Sequence, residues 1–175
     1  KMRSGSRTGL FDFRLGTDIH VLVGCGLGGG SLINAGVALR PDARVFADAA
    51  WPEEVARDGL LDLGFKRAAS TLRPSRHEEA ATLIKYRALE TASAAFDVPP
   101  VAAPVVVSFE EIVNPAGVAQ PACTLCGDCC SGCNVGAKTT VAMSYIPDAV
   151  NHGARVFTEL DVDHVRKDGD GWKVM

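Results

Sequence analysis

Five of the six cysteines fall between Cys123 and Cys133, and their spacing is that of a thiolate site. Cys123-x2-Cys126-x2-Cys129-x3-Cys133 matches the first part of a ferredoxin-type iron–sulfur run, where short loops let four thiolates converge on one 4Fe-4S cluster. Gly127 and Gly132 supply the turns needed to aim them. The match is partial, because Asn134 rather than proline follows Cys133. Zinc is an alternative, since Cys123-x2-Cys126 and Cys130-x2-Cys133 form two knuckle-like pairs, although only three residues separate them. A redox or structural cysteine knot without metal is the third. All three readings need the thiols reduced or locally paired, which points to a reducing compartment and a cytoplasmic protein.

Five of the 18 glycines crowd into Gly24–Gly30. Such a loop, opening a helix, can present backbone N–H groups and the positive helix end to a phosphate. Gly24, Gly26 and Gly29 also spell G-x-G-x-x-G, a match that comes almost free with so many glycines. The acid that would hold a ribose falls near Asp48, and no strand pattern leads up to it. A phosphate or cofactor loop of another kind is the better reading, against a packing loop with no ligand. The histidines His20, His77, His152 and His164 are scattered, with no carboxylate at metal spacing. No G-x-S-x-G, H-E-x-x-H or Walker motif is present.

The elements that must position these residues are legible in outline. Residues 1–18 read as irregular, and Ile19–Val23 as a short buried strand leading into the glycines. Ser31 is placed to cap a following helix. Residues 51–96 read as helical, starting at Trp51-Pro52-Glu53-Glu54. Ala81, Ile84, Ala88, Ala92 and Ala95 form an apolar stripe expected to pack on a core. Residues 97–122 are proline-rich and mostly extended. Thr139–His152 reads as a helix stopped by Gly153, followed by strands at Arg155–Phe157 and Val162–Arg166. A turn at Asp168–Gly171 then leads into a strand from Trp172.

Composition narrows the function classes. At 175 residues, 47% hydrophobic and 22% charged, the chain is long and apolar enough for a core, which excludes a disordered tail. A net charge of −3 leaves no basic excess for nucleic acid. No apolar run approaches the ~18 residues of a membrane span.

The two loops together carry a family resemblance. Gly24-Cys25-Gly26-Leu27-Gly28-Gly29-Gly30-Ser31-Leu32-Ile33-Asn34-Ala35-Gly36-Val37 resembles the second FAD-binding segment of the glucose–methanol–choline (GMC) oxidoreductases, in particular the cholesterol oxidase-like branch. Gly132-Cys133-Asn134-Val135-Gly136-Ala137-Lys138-Thr139-Thr140, continuing to Tyr145-Ile146-Pro147, resembles that branch's loop that opens a helix leading to an FAD-contacting strand. The resemblance implies an α/β fold with some α+β character: a partial FAD-binding domain interleaved with part of a helical substrate domain. Residues 1–50 and 139–175 would belong to the FAD-binding domain, 51–122 to the substrate domain, and 123–138 to a Cys-rich loop. Gly29, Gly30 and Ser31 would lie against the cofactor, Asn34 and Val37 would face the isoalloxazine ring, and the Val162 backbone would hold the adenine. The implied activity is oxidation of a CH–OH group, with hydride passing to flavin N5. The substrate would be a small-molecule alcohol, sterol or otherwise hydrophobic, and an electron acceptor would complete the reaction.

The resemblance also implies that this is an internal fragment. The unit that seats the ADP half of FAD would precede residue 1, and the catalytic histidine would follow Met175, so no catalytic residue is assigned here. The cysteine run departs from the plain cholesterol oxidases and would favour a dehydrogenase passing electrons onward. The contrasting expectation is a small cysteine-cluster module that binds metal or a protein partner without catalysis.

Overall fold

The computed structural model describes residues 2–4, 9–57 and 59–175. The β-branched run before the glycines forms strand β3 (Val21–Gly24), paired antiparallel to β2 (Phe11–Leu15), which pairs in turn with β1 (Met2–Ser4). The irregular reading of residues 1–18 is therefore corrected. Phe11-Asp12-Phe13-Arg14-Leu15 alternates apolar and polar residues, a strand period obscured by its Gly-, Ser- and Arg-rich flanks. Asp12 is buried and accepts a hydrogen bond from Arg14 Nε at 3.1 Å.

The glycine loop does not open an α-helix. It forms a 3₁₀ turn, Gly29–Leu32, capped by Gly28 at φ 108. Ser31 lies inside this turn rather than at its cap, and its hydroxyl donates to the Gly28 carbonyl at 2.7 Å.

The helical expectation for 51–96 resolves into α1 (Glu53–Arg57), α2 (Leu60–Leu72) and α3 (Ile84–Ser93). Glu53 and Glu54 occupy the first turn of α1, where the helix dipole favours anions. Phe46, from the 3₁₀ turn Ala43–Ala47, meets Trp51 at 5.5 Å and Phe65 of α2 at 6.1 Å, and the Arg40 guanidinium lies over Phe65. The alanine stripe is a second correction. Ile84 is 86% exposed, Ala81, Ala88, Ala92 and Ala95 are exposed, and only Tyr86 and Ser93 of α3 are half-buried. The helix is fixed from its other side, where the Tyr86 hydroxyl donates to the Pro100 carbonyl at 2.9 Å.

The proline-rich segment supplies the core. Val106 and Val107 are buried with Ala116 and Ala137, among buried Ser108, Asn114, Gln120, Lys138, Thr139, Thr140 and Ser144. So polar an interior requires paired groups. Asn114 meets that need in the hairpin of β4 (Ile112–Val113) and β5 (Ala119–Gln120). Its Nδ2 donates to Gln120 Oε1 at 3.1 Å and to the Met143 carbonyl at 2.6 Å, while its Oδ1 accepts the amides of Ala116 and Val118.

The expected helix at 139–152 is shorter. Thr139 and Thr140 stay extended, Val141–Met143 makes a 3₁₀ turn, and α4 covers Tyr145–Asn151. Pro147 falls in the first turn of α4, where its missing N–H costs nothing. Beyond Gly153, Arg155–Phe157 is extended but pairs with no strand among the described residues, so it is not a strand. The terminal hairpin joins β6 (Val165–Asp168) to β7 (Gly171–Val174), leaving Val162 ahead of the strand expected to contain it. The result is a mixed helix and sheet chain whose three small sheets are all antiparallel, in keeping with the expected α+β character.

Candidate functional site

The two resembling segments meet across one extended strip. Val106 donates its amide to the Gly36 carbonyl at 2.8 Å, and Ala38 donates to Pro104 at 2.9 Å. On the other edge, Thr139 donates to Val106 at 2.8 Å and Ser108 to Ala137 at 2.9 Å. Residues 104–108 thus lie between the segment after the glycine loop and the segment after the cysteine loop.

Two side chains complete this junction. Lys138 is 1% exposed, and its ammonium donates to the carbonyls of Leu32 and Asn34 at 2.9 Å and of Cys129 at 2.7 Å. An ammonium carries three donors, so this tripod satisfies it completely. Burial pushes the Lys138 pKa down, while the nearby Cys129, Cys133 and Cys130 thiols oppose that shift. Ser31 Oγ accepts the amide of Val141 at 2.9 Å while donating to Gly28. Lys138 is the residue that sequence reasoning missed. It stood in the quoted motif, but its role depends on carbonyls more than 100 residues away.

The glycines divide by what surrounds them. A Cβ on Gly24 would lie 2.3 Å from the Gly29 carbonyl oxygen, so that glycine serves backbone packing. A Cβ on Gly29 or Gly30 would meet no atom within 4 Å. These two line an open backbone face, the kind of surface a cofactor can approach closely. Next to it, Asn34 and Val37 are exposed, Val37 by 53%. Asn34 Oδ1 accepts the Gly36 amide at 3.1 Å, which fixes the side chain and leaves its NH2 as the free donor end. The residues present therefore fit a flavin nucleotide along this face. Val162 lies in the extended stretch ahead of β6 and is exposed.

Beyond Val37, a largely apolar hollow of about 390 Å³ is lined by Ala38, Leu39, Phe65, Ala69, Leu72 and Pro74, together with the charged Arg40 and Lys66. His77 stacks on Phe109 at 4.8 Å with its Nε2 buried and unpartnered, and takes no part in the junction.

The cysteine loop brings its thiols into electrostatic range of one another. All six cysteines are free. The Leu125 amide points at Cys123 Sγ at 3.4 Å. Burial pushes the Cys129 thiol pKa up, helped by Cys133, Cys123 and Cys126 and opposed by Lys138. Even so, no group of three or more His, Cys, Asp or Glu among the described residues is arranged to hold a metal ion. The predicted ligand set Cys123, Cys126, Cys129 and Cys133 is thus gathered in one loop but not assembled for ligation. No helix among the described residues is long and apolar enough to cross a membrane.

Comparison with known proteins gives the same direction throughout. The family model described as GMC oxidoreductase matches residues 5–171. A cholesterol oxidase of Mycobacterium tuberculosis (strain ATCC 25618 / H37Rv) is 30% identical over 174 residues, covering 90% of this chain and 30% of the relative. A cholesterol oxidase of Acinetobacter baumannii is 28% identical over 186 residues, covering 95% of this chain and 33% of the relative. The chain therefore spans about a third of the length of the curated relatives it matches.

Proposed function

Because the chain belongs to the GMC oxidoreductase family, we propose that it forms part of the FAD site of an oxidoreductase acting on the CH–OH group of an alcohol. The observation that carries this reading is the junction itself. Two segments far apart in sequence are locked together by Lys138 and Ser31, and the lock presents the open backbone of Gly29 and Gly30 on one face. Gly29, Gly30 and Ser31 would lie along the cofactor, with the Asn34 amide and the Val37 side chain toward the flavin ring. The Val162 backbone would hold the adenine end. The flavin, when bound, supplies the hydride acceptor, at N5. The chain's own residues bind it, orient it and keep the Asn34 NH2 as a hydrogen-bond donor at its edge.

The hollow next to Val37 supports a hydrophobic alcohol as substrate, since its lining is mostly apolar, with Arg40 and Lys66 as its charged members. The relatives are cholesterol oxidases, a name that fits that class. In the same reading, residues 51–122 contribute to a substrate domain interleaved with the FAD-binding parts at 1–50 and 139–175. Ligation of an iron–sulfur cluster or zinc by Cys123, Cys126, Cys129 and Cys133 rests on their spacing alone, and metal analysis of the full-length protein tests it.

The full-length protein is expected to purify with the visible absorption of a flavin, and that absorption should bleach when a hydrophobic alcohol is added without oxygen. A colourless protein that takes up no FAD would end this reading.

A further inference from the structure

We propose that Lys138 is a positioning residue for the flavin-facing segment, holding residues 32–34 in place and setting a buried positive charge behind them. The inference rests on the FAD reading above. Leu32 and Asn34 carbonyls converge on one ammonium, so the peptide planes that follow Leu32 and Asn34 are fixed from behind. The side chain of Asn34 is turned outward from the same backbone. Any shift of the ammonium therefore moves the residue that presents a donor to the ring.

The charge has a second effect. Lys138 bonds only to neutral carbonyls, and no carboxylate among the described residues pairs with it. The cysteine loop meets this ammonium through the neutral Cys129 carbonyl. The Lys138 ammonium, with no carboxylate partner among the described residues, thus stands immediately behind the flavin-facing turn. Burial keeps water from screening such a charge, so it is felt over several ångströms. It favours whichever state of a neighbouring group carries more negative charge, and a flavin gains negative charge on reduction.

Lys138→Met removes donors and charge at similar volume, and Lys138→Gln keeps donors but no charge. Both are measured in the full-length flavoprotein, by midpoint potential of the bound flavin, FAD dissociation and thermal unfolding. Asn114→Ala serves as a comparison that breaks the buried network around Gln120 without removing any hydrogen bond or charge of the Lys138 ammonium. Both Lys138 variants are expected to shift the flavin potential to more negative values. Lys138→Met, which removes all three hydrogen bonds of the ammonium that holds the flavin-facing segment, is expected to weaken FAD binding on the order of tenfold. Asn114→Ala should lower the unfolding temperature and leave the potential where it is. If Lys138→Met does not fold, Lys138→Gln reads the potential instead. A potential unchanged in the Lys138 variant, with only the stability loss seen in Asn114→Ala, overturns the proposal. Wild-type protein without flavin overturns the FAD reading as well, so the two failures are distinct.

Discussion

The hydroxyl of Ser31 accepts the amide of Val141 at 2.9 Å, a bond that closes 110 residues of chain. The same hydroxyl donates to Gly28, so one oxygen pins both the start of the 3₁₀ turn and the far segment. Ser31→Ala removes both bonds and leaves a half-buried amide without its acceptor. A loss of about 1–2 kcal/mol is expected in denaturant unfolding of the full-length protein, with weaker FAD retention. Unchanged stability would show the bond to be replaceable by water.

Gly30 and Gly24 separate ligand contact from folding. Gly30→Ala adds a methyl that meets nothing in the chain, so stability should stay within about 0.5 kcal/mol. FAD titration should nevertheless show affinity reduced by about tenfold or more, because in the proposed site the methyl would stand where the cofactor approaches. Gly24→Ala drives a Cβ into the Gly29 carbonyl, and soluble yield should collapse.

The Asn114 side chain makes four hydrogen bonds in the core, to Gln120, Met143, Ala116 and Val118. Asn114→Ala strands several buried partners at once. Thermal unfolding should report a loss of about 3 kcal/mol, in the range for a broken buried network.

Cys129 gives a pH prediction with a definite sign. Its folded pKa lies above the ordinary 9.0, because burial and neighbouring thiols disfavour the thiolate. The folded state therefore holds a proton that the unfolded state releases near pH 9.0, so this group's contribution to stability is complete below that pH and declines as pH rises further. Alkylation mapped by mass spectrometry at pH 8 should label the exposed Cys126 and Cys130 first and Cys129 late. Early labelling of Cys129 would contradict its burial.

The chemistry-bearing loops were legible because glycine and cysteine announce themselves by type and spacing. The strand at Val21–Val23 and the start of α1 followed from β-branching and from Pro52 with its acids. What the sequence hid was tertiary. The stripe Ala81–Ala95 has the right period to be buried, yet nothing among the described residues lies against it, and periodicity alone cannot say whether a partner surface exists. The strip 104–108 reads as a connection because Pro99, Pro100 and Pro104 leave no room for a helix leading into it, and only the two segments it joins make it a core. Lys138 was hidden for a third reason. A lysine in a motif reads as a surface or phosphate-binding charge until the carbonyls that receive it are known.

The strip at 104–108 also bears on the order in which the chain folds. Its partner at 137–139 lies roughly 30 residues along the chain, whereas Gly36 lies roughly 70 residues away. Closing the shorter loop costs less entropy, so that edge should form first and the glycine loop should dock onto it last. The last segment to arrive is generally among the first to open. Amide exchange should then be faster at Val106, which reports the Gly36 edge, than at Thr139, which reports the other. In a holoenzyme this ordering would make cofactor occupancy the final check on folding, since the ligand would favour only chains in which both edges have closed.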